Sequence, residues 1–264
     1  MNFDTDPYLE DHIYQGTCLF PAVLGMEAMA QVAAHLMPER PTVIRIQNIE
    51  LPKPIIVGEE RSVQLEIHAQ ASETCAAGET VVSVGIRTER TQFGQDHFAA
   101  EIVFGEMPAS ERQPETAGDR LDIDPARDLY NGIMFQGPRF QRWGDTYHLQ
   151  HGMMRMEVKQ CEKTLRGENV FADNVASDPM LTGDPFYRDV LLQSIQALVP
   201  QRVGLPLSIE RIEFFAPADP DAMPSNRRMV MSKMNAIGEQ IGDEHICEVV
   251  SKDPDGAVRE HIVG

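Results

Sequence analysis

The sequence predicts an α+β protein of two similar units, each an antiparallel sheet wrapped around one helix. Three observations lead to this prediction. Each half of the chain contains a helical segment that begins at a proline, Pro21 or Pro185, and continues into segments of alternating apolar residues. Residues 108–124, which lack apolar periodicity, separate the two halves. Both prolines are also followed at a similar distance by an Ile-Glu pair, after 28 residues at Ile49 and after 27 at Ile212.

These observations predict an N-terminal unit over residues 1–107, a linker over residues 108–124 and a C-terminal unit over residues 125–264. We expect one continuous sheet to run across both units. The periodicity predicts helices over residues 21–38 and 186–198, and strands over residues 42–46, 62–70, 82–86, 98–104, 147–158, 207–215, 229–234 and 246–250.

Composition excludes several classes of function. A formal net charge of −18 argues against a nucleic-acid partner and against binding to an anionic membrane. No segment has the order of a signal peptide or the length of a membrane span, so we expect a cytoplasmic protein. The cysteines lie far apart, at Cys18, Cys75, Cys161 and Cys247. This spacing favours neither a zinc site nor a disulfide framework, and it indicates a reducing compartment.

The first candidate site combines His12, Gly16 and Pro21 in the spacing HxxxGxxxxP. Proline suits the start of a helix because its missing N–H would have no partner in the first turn. His12 therefore precedes a helix N-terminus, where a ring nitrogen can meet a polarised carbonyl group beside backbone donors. The structural alternative is a turn-capped helix with one surface histidine.

The second candidate site lies at the start of the second helix. Asp189 and Gln193 are four residues apart, so both side chains lie on one helix face. Gln193 can donate to the Asp189 carboxyl group and fix which oxygen points into a cleft between the units. The structural alternative is an aspartate that interacts favourably with the helix dipole, a role that leaves Gln193 unexplained.

Taken in order, these motifs resemble the dehydratase domains of polyketide synthases, which are double-hotdog folds. The resemblance covers nearly the whole chain and includes Gly137-Pro138-Arg139-Phe140 and Leu205-Pro206. The residues of segments 11–31, 135–142 and 183–200 look closest to dehydratases of iterative enediyne-type synthases. The sequence departs from the family at Gln136, where a tyrosine often precedes the Gly-Pro pair.

The resemblance implies elimination of water from a β-hydroxyacyl chain carried as a phosphopantetheine thioester on an acyl carrier protein. His12 is then the base, since an unperturbed imidazole has a pKa of about 6.5, and Asp189 is the acid, provided that burial keeps it neutral. Backbone N–H groups around Gly16 would stabilise the enolate-like oxygen. The residues expected to orient the substrate are Gly16, Pro21, Gln193, Gly137 and Pro138.

The same resemblance implies no cofactor and no metal ion, and it names the acyl carrier protein, the other synthase domains and a second copy of the chain as partners. Arg139, Arg142 and Arg188 lie beside the motifs and can form a docking patch for an acidic carrier, or instead pair with neighbouring carboxylates. Three alternatives remain open. They are a product-template-like cyclase on the same fold, a catalytically idle docking module, and a thioesterase or hydratase of the kind usually built from two chains.

Overall fold

The computed structural model describes residues 1–37, 42–71, 78–115, 117–150, 152–159, 180–199, 204–217, 227–235 and 245–264. These ranges contain the helices α1 (Ala22–Ala34) and α2 (Pro185–Leu198). Their strands are β1 (Ile13–Tyr14), β2 (Thr17–Leu19), β3 (Val43–Glu50), β4 (Ile56–Val57), β5 (Leu65–Ala71), β6 (Thr80–Thr88), β7 (Phe98–Phe104), β8 (Asp119–Leu121), β9 (Trp143–Gln150), β10 (Met153–Lys159), β11 (Ser208–Phe214), β12 (Arg227–Asn235), β13 (Ile246–Lys252) and β14 (Val258–Val263).

One antiparallel sheet of eleven strands runs through both halves of the chain. Its order is β5-β6-β7-β3-β11-β14-β13-β12-β10-β9-β8. The halves join where β3 pairs with β11, and Ile46 lies opposite Ile212 at this junction. Both isoleucines are fully buried, so the shared strand pair also joins the two hydrophobic cores. The predicted continuous sheet is confirmed.

Each half of the sheet wraps around one helix, as the sequence predicted. Helix α1 packs against β5, β6 and β7, while α2 packs against β10, β12 and β13, and the two helices contact each other. Pro21 stands directly before α1, and its carbonyl oxygen accepts from the N–H groups of Leu24 and Gly25. Asp184 caps α2 by accepting from the N–H groups of Phe186 and Tyr187. Both helices therefore begin within one residue of the predicted positions.

A small sheet of β1, β2 and β4 lies at the start of the chain. The turn between β1 and β2 consists of Gln15 and Gly16, whose φ angles are +49° and +79°. A two-residue hairpin loop of this kind places both residues in the left-handed region. Glycine adopts this region easily because it has no Cβ atom. Gly16 thus serves the turn that returns the chain from His12 to the helix.

One sequence-based expectation about the second half is wrong. The long strand predicted over 147–158 is a hairpin of β9 and β10, with Gly152 at φ +72° just before β10. Glycine adopts this angle without strain, and alternation alone gives no sign of such a break. Residues 108–124, predicted as a linker, include the short strand β8, which extends the edge of the sheet beside β9. The unit boundaries themselves stay a prediction.

Two further observations concern the expectations drawn from composition. Cys18 and Cys247 are buried free thiols, whereas Cys75 and Cys161 lie outside the described residues. Within the described ranges, no helix is both long enough and apolar enough to cross a membrane.

Candidate active site

His12 is held by the hairpin that follows it. A 3-10 turn over Pro7–Asp11 ends at His12, and the hairpin brings Leu19 back beside it. The N–H of Leu19 donates to the His12 carbonyl oxygen at 3.0 Å, and Nδ1 of His12 lies 2.8 Å from the Leu19 carbonyl oxygen. Because a carbonyl oxygen accepts and never donates, Nδ1 carries the ring proton. The other nitrogen, Nε2, therefore has a free lone pair when the ring is neutral.

Aromatic rings surround the His12 imidazole. Its centroid lies 4.9 Å from that of Phe135 and 5.5 Å from that of Phe140, and the residue is 7% exposed. Burial lowers the pKa of His12, an effect that the nearby Asp189 and the Leu19 carbonyl partly offset. His12 is therefore held in its neutral, basic form.

Asp189 faces His12 from helix α2. Its Oδ1 lies 4.0 Å from His12 Nε2, and its Oδ2 accepts from Gln193 Nε2 at 2.7 Å. Burial raises the pKa of Asp189 above the ordinary value for a carboxyl group, while His12 and Gln193 oppose this rise. The two pKa values are thus shifted in opposite senses, which favours a neutral base facing a neutral acid.

A chain of hydrogen bonds fixes the orientation of Gln193. The Tyr130 hydroxyl group donates to Gln193 Oε1 at 2.8 Å, so the amide nitrogen must point the other way, toward Asp189. The same nitrogen also lies 3.2 Å from the Phe140 carbonyl oxygen. The sequence did not predict Tyr130 as a site residue. Its phenol lies near the acid, but Tyr130 is 63 residues from Gln193 in the sequence.

The Gly-Pro segment supports the histidine from the second unit. Gly137 donates its N–H to the Asp11 carbonyl oxygen at 2.7 Å, and a Cβ atom at Gly137 would lie 2.7 Å from Asp11 Cα. Glycine is therefore required for this close approach of two backbones. Pro138 begins a 3-10 turn that ends at Phe140, whose carbonyl oxygen contacts Gln193. The segment thus links the base and the acid.

Gln136, where the family often has a tyrosine, forms a single β-bridge with His12. Its Oε1 is buried and has no hydrogen-bond partner among the described residues. A buried amide oxygen without a donor is unfavourable, because it loses its hydrogen bond to water. This position therefore supplies a polar acceptor next to the backbone of the candidate base.

Of the two interpretations that the sequence left open for three arginines, the structure shows the pairing with carboxylates. Arg188 is fully buried, with Nε 3.0 Å from Glu260 Oε2. Arg142 pairs with Asp184, and Arg139 pairs with Asp11. The pattern of basic residues beside motifs gave no information on burial, which is complete for Arg188, whereas the Arg139 side chain is 42% exposed.

The structure brings His12, Asp189, Gln193 and the Gly137-Pro138 segment to one place. Gly16 and Pro21 instead shape the chain on either side of His12, at the hairpin tip and directly before α1. Among the described residues, no three His, Cys, Asp or Glu side chains converge as metal ligands. A histidine and a carboxyl group that face each other between the two helix-containing halves of one sheet can remove one proton and supply another.

Two family models match this chain. One, described as the polyketide synthase dehydratase domain, matches residues 1–97, and another, described as the polyketide synthase dehydratase N-terminal domain, matches residues 108–264. One component of a polyunsaturated fatty acid synthase from Thraustochytrium sp. is 25% identical over 223 residues. This similarity covers 82% of the chain but 8% of that protein, so the chain spans less than a tenth of the relative's length.

Solved structures show the same fold. The dehydratase domain from the CurF module of curacin polyketide synthase is 12% identical, with a TM-score of 0.73 over all of this chain and 89% of that one. The dehydratase domain of PpsC from Mycobacterium tuberculosis is 19% identical, with a TM-score of 0.71 over 99% of this chain and 88% of that one. The predicted double-hotdog fold is confirmed.

Fold and site together define a class of double-hotdog proteins with a histidine and a carboxyl group between the two units. The family matches extend over both halves of the chain, and the larger covers more than half of it. The chain belongs to the polyketide synthase dehydratase family. Membership of this family assigns the chain the dehydratase (hydro-lyase) class of activity.

Proposed function

We propose that this chain removes water from a β-hydroxyacyl thioester, with His12 as the base and Asp189 as the acid. The observation that carries this proposal is the 4.0 Å separation of His12 Nε2 and Asp189 Oδ1. Both groups are buried, and burial shifts their pKa values toward the neutral forms that the reaction requires.

The base acts through Nε2, because Nδ1 already donates to the Leu19 carbonyl oxygen. Nε2 takes a proton from the α-carbon of the substrate, whose acidity is raised by the thioester carbonyl group. The Leu19 carbonyl oxygen stabilises the imidazolium that forms, in the way that a hydrogen-bond acceptor on the far nitrogen orients other catalytic histidines. The electron pair left on the α-carbon forms the new carbon–carbon double bond.

The acid acts through Oδ1, because Oδ2 is occupied by the Gln193 amide. As the bond between the β-carbon and its oxygen breaks, Oδ1 gives its proton to the leaving hydroxyl group, and water departs. The products of this step are the enoyl thioester, a protonated His12 and an ionised Asp189. Transfer of the proton from Nε2 to Oδ1 restores the starting state. Because these atoms lie 4.0 Å apart, beyond direct hydrogen-bond reach, one water molecule relays the proton.

We extend the proposal to the partners and the location of the chain, about which the geometry of the site gives no information. The substrate is carried on an acyl carrier protein, the chain works beside other synthase domains in the cytoplasm, and it forms a homodimer. The residues of segments 11–31, 135–142 and 183–200 support an iterative enediyne-type synthase. The reaction as written uses no cofactor and no metal ion, since both proton transfers are assigned to side chains of the chain itself.

The test is a mass measurement on a β-hydroxyacyl acyl carrier protein after incubation with the chain. We expect the loss of one water from the carrier-bound acyl group and an absorbance typical of an enoyl thioester. A cyclase would instead lose water while forming a ring, without a simple enoyl product, and an idle docking module would leave the mass unchanged. Either result with a correctly folded chain would contradict the proposal.

A further inference from the structure

Helix α1 contains a buried carboxyl group that the proposed reaction does not use. Glu27 is 5% exposed and lies on the central helix of the N-terminal unit. Four donors contact its oxygens. Gln31 Nε2 lies 2.6 Å away, the N–H groups of Leu181 and Thr182 each lie 2.9 Å away, and the Thr182 hydroxyl group completes the set. A buried carboxylate surrounded by this many donors is well satisfied.

Three of these donors belong to the segment that leads into α2. Leu181 and Thr182 precede Gly183, which has a φ of +82°, and Asp184, which caps the helix. Glu27 therefore fixes the chain of the C-terminal unit immediately before the helix that carries Asp189. The contact crosses between units, since Leu181 and Thr182 lie 154 and 155 residues from Glu27 in the sequence.

Arg188 continues this network to the residue next to Asp189. Its Nη1 donates to the Thr182 hydroxyl oxygen at 3.1 Å, and its Nη2 donates to the Thr182 carbonyl oxygen. Because that hydroxyl oxygen accepts from Arg188, its own hydrogen is free to point to Glu27. Nε of Arg188 donates to Glu260 on β14 at 3.0 Å. The fully buried arginine thus anchors the first turns of α2 on two sides.

We propose that Glu27 is a positioning residue for Asp189: through Thr182 and Arg188 it sets where the first turns of α2 lie relative to His12. This inference rests on the proposed function, because it assumes that Asp189 is the acid. Proton transfer depends on close placement of the reacting groups, and a shift of about 1 Å in a catalytic group can cost 100-fold in rate. Glu27 acts on the reaction through the chain that it holds, and it transfers no proton to or from the substrate.

The main test is a double-mutant cycle of Glu27→Gln and Asp189→Asn, measured with a β-hydroxyacyl thioester of N-acetylcysteamine. Glu27→Gln keeps the shape of the side chain but places an NH2 group against N–H donors. We expect its kcat to fall about tenfold with KM nearly unchanged, because the site is misaligned while the substrate surface is kept. In the Asp189→Asn background the same change should cost nothing further, since the group that Glu27 positions is already absent.

A control separates positioning from simple loss of stability. Ile86→Val, at a fully buried position on β6, removes one methylene group from the core around α1 without touching the network. All rates are divided by the folded fraction, and we expect this variant to keep the wild-type kcat. If Glu27→Gln also kept the wild-type kcat, or if it cost the same factor in the Asp189→Asn background, the inference would be wrong.

A second pair of variants decides the question if Glu27→Gln does not fold. Thr182→Val removes the hydroxyl group that joins Glu27 to Arg188 but keeps the backbone N–H, and Thr182→Ser restores the hydroxyl group. We expect kcat to fall in the valine variant and to recover in the serine variant, while equal values in both would overturn the inference. Failure of the proposed function looks different, because Asp189→Asn alone would then keep near wild-type turnover.

Discussion

The two central helices carry the same local motif in different surroundings. In α1, Gln31 Nε2 donates to Glu27, and in α2, Gln193 Nε2 donates to Asp189 four residues earlier. The remaining acceptor sites on Glu27 are filled by N–H and hydroxyl donors, whereas the free oxygen of Asp189 faces the His12 ring. A glutamine can therefore orient a carboxyl group in either helix. The role of the carboxyl group depends on what faces it: Glu27 faces the segment before α2 and holds it, whereas Asp189 faces the candidate base His12.

The same difference appears in the electrostatics. Asp189 has one direct hydrogen-bond donor among the described residues, so burial dominates and its pKa is raised. Glu27 has four donors, three of them from the segment before α2. The number of donors around each carboxyl group thus distinguishes a structural anchor from a proton donor.

The largest expected effect comes from the pair that faces across the site. His12→Ala and Asp189→Asn should each lower kcat by roughly 10² to 10⁴-fold, because each removes a positioned acid or base. The double variant should be little worse than the poorer single variant, since both groups act in one elimination. Formation of the enoyl thioester measures these rates. If Asp189→Asn kept near wild-type turnover, Asp189 would not be the acid. The carboxyl groups of α1 and α2 would then no longer differ in function.

The pH dependence of kcat/KM tests the opposite pKa shifts. The rate should fall at low pH as His12 gains a proton, and burial places this limb below the ordinary pKa of histidine. It should fall at high pH as Asp189 loses its proton, at a pH above the ordinary pKa of aspartate. Each limb approaches about tenfold per pH unit, and both midpoints belong to the coupled pair.

Substitution assigns the limbs. The alkaline limb should be absent from the residual activity of Asp189→Asn. It should persist in Glu27→Gln, because the carboxyl group that this change removes exchanges no proton with the substrate. A profile for Asp189→Asn that kept the wild-type alkaline limb would show that another group supplies the proton.

Sequence patterns were sufficient for the overall fold because the periodicity of each segment reflects which face is buried. They also selected His12, Asp189 and Gln193 as candidates, the last two because their spacing puts them on one helix face. They did not identify Glu27, although Glu27 and Gln31 have the same spacing as the pair in α2. Its partners, Leu181 and Thr182, are remote in sequence, and only tertiary contacts reveal which segment meets a buried carboxyl group.

Tyr130 and the burial of Arg188 were missed for the same reason. Tyr130 lies 63 residues before the Gln193 side chain that it orients. Arg188 looks like a surface charge in sequence, yet its partners Thr182 and Glu260 enclose it. Local propensity indicates that a residue is helical, but it does not indicate which side chains from other segments contact that residue.

A smaller effect is expected from the two glutamines, and it tests the comparison directly. Gln193→Ala should lower kcat by less than Asp189→Asn does, because Gln193 orients the acid and transfers no proton. Gln31→Ala should lower it less again, since three donors still hold Glu27. Rates and unfolding temperatures are measured for both variants. Equal losses of kcat would mean that the two carboxyl groups contribute to the reaction in the same way.

The smallest expected effect concerns the hydroxyl group of Tyr130. Tyr130→Phe removes the donor that fixes the Gln193 amide, so the amide can turn its oxygen toward Asp189 in part of the molecules. A hydrogen bond of this kind contributes about 0.5–1.5 kcal/mol, which corresponds to roughly a 2- to 10-fold loss of kcat. KM should change little, because phenylalanine keeps the aromatic ring and only the hydroxyl group is removed.

Tyr187→Phe is the matched control for this last change. It removes another buried hydroxyl group, on the same helix as Asp189, whose partner is Ser251 on β13 and not the Gln193 amide. Both variants should lose a similar amount of stability, measured by thermal unfolding, because each loses a buried hydroxyl group together with its hydrogen bonds. Since only Tyr130 orients the amide beside the acid, Tyr130→Phe alone should lower kcat. If both variants lowered kcat equally, the loss would come from general loosening of α2, and Tyr130 would have no specific part in holding the Gln193 amide toward Asp189.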